Sequence, residues 1–149
     1  MKWKPPRPRR PHGFLLADSA QQIVGGFLLA GPFVVTEEVW VLAANMTLFH
    51  TLGTVAIVFG IGYATLYKAD TTRDVDTEQE IAGVPLRFIS LMVVSFGAVA
   101  ILALLFNAPS TFLEPAGTEE ITFVTIKAIS VGAIFSVVGA ATADSVFSK

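Results

Sequence analysis

The chain has 149 residues, of which 53% are hydrophobic and only 15% are charged, whereas ordinary soluble domains carry about 25% charged residues. This deficit indicates an integral membrane protein, leaves no room for a large soluble domain and gives no reason to expect a nucleic-acid partner. The formal net charge is −2, and a chain with no cysteine and two isolated histidines predicts no disulfide, no metal centre and no cofactor.

The first thirteen residues form a basic, proline-rich segment without an acidic side chain. Such a composition cannot bury a core and favours an extended, solvated chain. Clustered Lys and Arg before a first span hold that end in the cytoplasm, and they also attract anionic lipid headgroups. We therefore expect residues 1–13 to be a cytoplasmic tail and residues 14–149 to be the membrane domain.

The first span is predicted over residues 20–44, and it contains a proline and two adjacent carboxylates. Pro32 has no N–H to donate to the carbonyl of Leu28, so the pattern predicts a bend in the middle of this helix. Glu37 and Glu38 follow within two turns. An ionisable side chain inside a span costs roughly 2.5 to 3.5 kcal/mol on insertion scales and usually faces protein or water.

Three further apolar stretches predict spans over residues 49–67, 85–106 and 121–143, each near the roughly 20 residues that cross a bilayer. The predicted fold class is therefore an all-α polytopic membrane protein with four transmembrane helices. Arg87 lies at the start of the third span, and Lys127 lies inside the fourth.

The distribution of basic residues predicts the orientation. With the N-terminus inside, the outer loops carry no Lys or Arg, and nine of the ten basic residues face the cytoplasm: Lys2, Lys4, Arg7, Arg9, Arg10, Lys68, Arg73, Arg87 and Lys149. We expect a multi-pass protein of the cell membrane with both termini in the cytoplasm.

Glu37, Glu38 and Lys127 are predicted to lie in the same leaflet. At 1.5 Å per residue, Glu38 lies about 9 Å below the outer end of span one, and Lys127 about 9 Å below the outer end of span four. A Glu38–Lys127 or Glu37–Lys127 ion pair is therefore expected. Consecutive helical residues point about 100° apart, so one lysine cannot easily neutralise both carboxylates. The other carboxylate is left to hold a proton or to face a cation, water or a subunit interface. The alternative interpretation is that this ion pair only stabilises the packing of the two helices.

Small residues recur at four-residue spacing along span four, at Ala128, Gly132, Ser136 and Ala140. This spacing lets helix backbones approach closely, either within one chain or between copies. Because four short spans enclose little by themselves, we expect a homo-oligomer.

A second polar group is predicted at the inner end of the bundle. Asp18 and Gln22 lie at the start of span one, and Asp144 lies at the end of span four. These side chains form a cluster if the two helices are neighbours, whereas helix capping at the interface explains them equally well.

The segment Gly31-Pro32-x-x-x-Thr36-x-Glu38-x-Trp40 resembles the first span of a prokaryotic family of integral membrane proteins without an assigned function. In that family a Pro-x-x-x-Thr-x-Glu-hydrophobic-Trp pattern recurs. The resemblance implies that Glu38 is the shared position, along with Pro32, Thr36 and Trp40, and that Glu37 is a departure from the pattern.

No nucleophile beside a base, phosphate loop or metal-ligand cluster is found in the sequence, so an enzyme is not predicted. The leading hypothesis is passage of a small cation or protons, with Glu38 as the key group and Lys127 as its partner. The alternative is a non-transporting membrane scaffold or accessory subunit in which that pair is structural.

Overall fold

The computed structural model describes residues 16–69 and 80–147 and is almost entirely helical across them. The expected tail, residues 1–13, lies outside the described residues, as does Lys149. The helices are α1 (Leu16–Val34), α2 (Glu37–Ala44), α3 (Leu48–Tyr63), α4 (Leu86–Leu105), α5 (Ala108–Leu113) and α6 (Thr118–Phe147). A π-helical turn, Ala64–Ala69, extends α3, and a two-residue antiparallel ladder of β1 (Glu80–Ile81) with β2 (Val84–Pro85) precedes α4.

Three segments are long and apolar enough to cross a membrane, namely Leu48–Tyr67, α4 and α6, and the α1–α2 pair makes a fourth if it is one broken span. This confirms the prediction of an all-α membrane protein. The fourth span, predicted over residues 121–143, is part of a 30-residue helix that is about 45 Å long.

The first span is two helices instead of one bent helix. α1 and α2 meet at 80°, and the break falls at Val35 and Thr36, whereas Pro32 stays inside α1. Loss of the Pro32 N–H weakens the last turn of α1. The Thr36 hydroxyl then donates to the carbonyl of Phe33 at 2.9 Å, which supplies a local alternative to helical hydrogen bonding.

α3 begins at a defined cap. The Thr47 side chain accepts from the backbone N–H of His50, and the Thr47 backbone N–H donates to His50 Nδ1 at 3.0 Å. This reciprocal arrangement satisfies N–H groups that the first turn of a helix leaves without partners.

α6 is the central helix, and α1, α2, α3 and α4 all pack on it. The closest approach joins α1 and α6 at Gly25 and Gly139: a Cβ built on either glycine would lie 2.2 Å from the other's carbonyl oxygen. Only glycine permits this backbone contact, which is how small residues promote helix packing in membranes.

The stripe on α6 packs within the chain. Ala128, Gly132, Ser136 and Ala140 are all buried. Gly132 faces Val99 of α4, while Ser136 faces Gly26 of α1. α6 therefore uses one row of small residues to hold two neighbouring helices at once.

Candidate functional site

The four residues of the predicted motif surround the break between α1 and α2. Thr36 is the residue before α2 and has extended backbone angles, φ −103° and ψ 137°. Trp40 is buried, and its indole N–H donates to the carbonyl of Val34 at 3.0 Å. Because that carbonyl belongs to the last residue of α1, Trp40 satisfies an acceptor that the helix end leaves open. Pro32, Thr36 and Trp40 therefore build the bend.

Glu37 and Glu38 are the first two residues of α2, and both side chains are exposed. The partial positive charge at a helix N-terminus favours carboxylates in this turn. They open onto a cavity of about 380 Å³ that is lined along α2 by Val41, Leu42 and Asn45.

Lys127 is half-buried on α6. Among the residues that the structure describes, no ion pair joins Lys127 to Glu37 or Glu38. The expected depth of Glu38 assumed a straight helix through Ala44. Because α2 turns by 80° from α1, the roughly 9 Å from Glu38 to Ala44 along α2 corresponds to a change of depth of less than about 2 Å along the axis of α1.

The contact of Gly132 with Val99 shows which turn of α4 lies beside Lys127 of α6. Lys127 precedes Gly132 by about 7.5 Å along α6, and α4 runs antiparallel, so Lys127 lies level with the last turn of α4 before Leu105. Val35, two residues before Glu37, lines a cavity together with Phe106 and Ala108. Lys127 and the two glutamates therefore lie near the end of the bundle formed by α2 and α5, which we call the α2 end.

The opposite end holds a buried network, which we call the Arg87 network. Arg87 Nη1 donates to Asp144 Oδ1 at 2.5 Å, and Nη2 donates to Asp18 Oδ2 at 3.2 Å. Gln22 Nε2 donates to Asp144 Oδ2 at 3.2 Å and accepts at Oε1 from the hydroxyl of Ser90 at 2.7 Å. The structure thus brings together the predicted Asp18, Gln22 and Asp144, with Arg87 between the two carboxylates.

The Arg87 network ties three helices together. α1 contributes Asp18 and Gln22, α4 contributes Arg87 and Ser90, and α6 contributes Asp144. Arg87 and Asp144 are 5% and 0% exposed, so charge-assisted hydrogen bonds replace the water that these groups lose.

Sequence reasoning treated Arg87 only as a cytoplasmic charge and did not include Ser90, whose hydroxyl lies 3.0 Å from that of Ser19. The available signal was spacing. Arg87 and Ser90 are three residues apart in a helix that is otherwise almost wholly apolar, so they share one face. A charge and a hydroxyl on one face of a span mark the side that faces protein.

Within the described ranges, residues 16–69 and 80–147, no group of three or more His, Cys, Asp or Glu side chains is arranged to hold a metal ion. The predicted site residues thus fall into an exposed glutamate pair with a half-buried lysine at the α2 end and the Arg87 network at the opposite end.

Comparison with known proteins assigns the chain to a family. Residues 7–146 match the model of the family described as "Putative integral membrane protein (DUF2391)". Searches of curated protein sequences and of solved structures found no significant match. The match covers nearly the whole chain and accords with the apolar helices described above, so the chain belongs to the DUF2391 family of integral membrane proteins.

Proposed function

We propose that the protein moves a small cation or protons across the cell membrane, with Glu38 as its key polar group. The observation that carries this proposal is the 80° break in the first span with carboxylates directly at the break. Discontinuous helices of this kind form the ion and substrate sites of many transporters, because a helix end supplies polar groups that a continuous helix hides.

The surroundings of Glu38 support the proposal. Its side chain is exposed, makes no ion pair with a described residue, and lines a cavity whose other walls include Val41 and Leu42. A carboxylate beside apolar surface is stabilised by a positive charge. Glu38 is therefore suited to accept a mobile cation or proton.

The proposed orientation keeps both termini in the cytoplasm, so the Arg87 network belongs to the inner side and the α2 end to the outer side. In support, α1 begins, α4 begins and α6 ends at the same end of the bundle, which carries Arg87 and the segment with Lys68. Basic residues concentrate on the cytoplasmic side of membrane proteins.

The proposed assembly is a homo-oligomer. Gly25 and Gly26 of α1 and Gly132 and Gly139 of α6 pack within the chain, but Gly53 and Gly60 on α3 have no described neighbour within 4 Å of an added Cβ. Small residues on an outward helix face permit close contact with a second copy, and a shared interface would enclose a pathway that one chain does not.

The test is proton and potassium flux into liposomes containing the purified protein, at equal incorporation of each variant. We expect Glu38→Gln to abolish flux, because the amide keeps the shape of the side chain and removes its charge. Glu119→Gln is the matched control, since Glu119 is also an exposed acid in the first turn of a helix, and it should leave flux unchanged.

The comparison of Glu38→Gln with Glu119→Gln separates transport from the scaffold alternative. Under the transport proposal both variants assemble normally and only Glu38→Gln loses flux, whereas a scaffold has no flux to lose. Absence of flux from the wild-type protein for both ions, across a range of pH and voltage, would refute the transport proposal and leave the scaffold or accessory subunit as the remaining role.

A further inference from the structure

Two adjoining cavities follow the outer surface of α2. The first, of about 380 Å³, begins at Glu37 and Glu38 and continues along the helix to Leu42 and Asn45. The second, of about 360 Å³, shares Leu42 and Asn45 and extends between α3 and α6. We call the combined surface the α2 groove; its lining residues from α6 are Val131 and Ile134.

The groove carries Glu37 and Glu38 at one end. Further along, its α6 wall is apolar, and its α3 wall holds His50 and Thr54. Lys127 precedes Val131 by one helical turn and so lies on the same face of α6. Val131 and Ile134 lie about 6 Å and 10 Å further along α6 than Lys127. Since Lys127 is level with the last turn of α4, a bilayer crossed by α4 would place these apolar residues at the depth of the hydrocarbon and the charges near the headgroups.

The two carboxylates of the groove and the lysine beside it do not neutralise one another through contacts that the structure describes. Glu37 and Glu38 are exposed, Lys127 is half-buried, and no ion pair joins them. A ligand that fits must therefore carry a positive group for the glutamates, a negative group for the lysine, and an apolar part for the wall.

We propose that the α2 groove binds a bilayer phospholipid with a primary-amine headgroup. The ammonium donates to the carboxylates of Glu37 and Glu38, the phosphate lies on the Lys127 side, and an acyl chain covers Val131 and Ile134. A primary ammonium supplies three N–H donors, whereas a quaternary ammonium supplies none. An anionic headgroup without an amine meets the two carboxylates with a like charge.

This site shares Glu38 with the proposed transport site. Competition between the lipid ammonium and a transported cation is a consequence that rests on the proposed function. The binding itself does not, because it follows from the groove and its charges alone.

The experiment measures lipid retention by the purified full-length protein in micelles with equal amounts of dioleoyl phosphatidylethanolamine, phosphatidylcholine and phosphatidylglycerol. Bound lipid is quantified after removal of excess. We expect the wild-type protein to retain phosphatidylethanolamine about tenfold over each of the others, a ratio that corresponds to about 1.4 kcal/mol. An exposed charge pair supplies up to about 1 kcal/mol, so two carboxylates together supply a free energy of this order.

The double variant Glu37→Gln/Glu38→Gln should bring the three lipids close to equal retention. Glu119→Gln/Glu120→Gln is the matched control, because Glu119 and Glu120 are also adjacent, exposed acids in a first helical turn, and it should keep the preference. Lys127→Met should lower retention of all three lipids, since all contain phosphate, and leave their ratio unchanged.

Equal retention by the wild-type protein, or a preference that survives in Glu37→Gln/Glu38→Gln, would overturn the lipid site. A ratio that collapses in Lys127→Met would overturn the assigned positions of the headgroup. A missing lipid preference leaves the flux measurement intact, and missing flux leaves the lipid measurement intact, so the two proposals fail separately.

Discussion

The contact between Gly25 and Gly139 makes a quantitative prediction for Gly139→Ala. The added Cβ would lie 2.2 Å from the carbonyl oxygen of Gly25 and 3.0 Å from Leu29 Cγ, whereas ordinary contacts begin near 3.4 Å. Leu29 can change rotamer, but the Gly25 carbonyl is backbone, so the helices must separate locally by about 1 Å. Overpacking of this kind costs typically about 1 to 3 kcal/mol. We expect the upper part of that range, because no side chain can relieve the clash with the carbonyl.

Gly97→Ala provides the matched control. Gly97 lies inside α4, and nothing described lies within 4 Å of an added Cβ. Alanine stabilises a helix by up to about 1 kcal/mol relative to glycine, so the same chemical change should here be neutral or stabilising. Reversible unfolding in mixed micelles, followed by circular dichroism, measures both free energies of unfolding. Equal stability of Gly139→Ala and the wild-type protein would refute the close approach of α1 and α6.

Two further substitutions test the motif and the Arg87 network in the same unfolding assay. Trp40→Phe keeps a buried ring but removes the donor to the Val34 carbonyl, and it should destabilise the protein by about 1 to 2 kcal/mol; an unchanged free energy of unfolding would show that this hydrogen bond does not hold the bend. Arg87→Met removes the guanidinium that pairs with Asp144, which is 0% exposed, and should lower the free energy of unfolding by about 3 to 5 kcal/mol. Adding Asp144→Leu should recover part of that loss, and a double variant less stable than Arg87→Met would contradict a structural role for the pair.

The fold class follows from the sequence because its signals are local. Runs of about 20 apolar residues require helices, since lipid offers no hydrogen bonds to the backbone. Four-residue spacing places Gly132 and Ser136 on one helix face whatever they pack against. Which helices they pack against depends on the whole bundle, and the sequence therefore left the choice between internal and intersubunit contact open.

The break in the first span shows where local reasoning stops. Pro32 predicted a bend, but the direction and size of the bend depend on Thr36 and Trp40, whose partners are backbone carbonyls of Phe33 and Val34. Such side chain to backbone bonds have no signature in hydropathy. The expected pairing of Glu38 with Lys127 used depths along a straight helix, and an 80° turn removes that basis.

Arg87 was missed for a related reason. At the start of a span, a basic residue is equally compatible with a solvated cytoplasmic charge and with a buried ion pair. The difference is decided by neighbours from other helices, here Asp18 and Asp144. The positive-inside pattern treats every arginine alike, so it counts Arg87 for orientation and cannot detect its burial.

Substitutions at the two ends of the bundle are therefore expected to change different measured properties. Arg87 and Asp144 are buried and join helices, so variants there change the free energy of unfolding first, and any loss of activity follows from that. Glu37 and Glu38 are exposed and contribute no ion pair within the described residues. Removing charge from such side chains usually changes stability by less than about 0.5 kcal/mol. A loss of flux or of lipid preference at the α2 end, with the unfolding free energy unchanged, is therefore attributable to the carboxylates themselves.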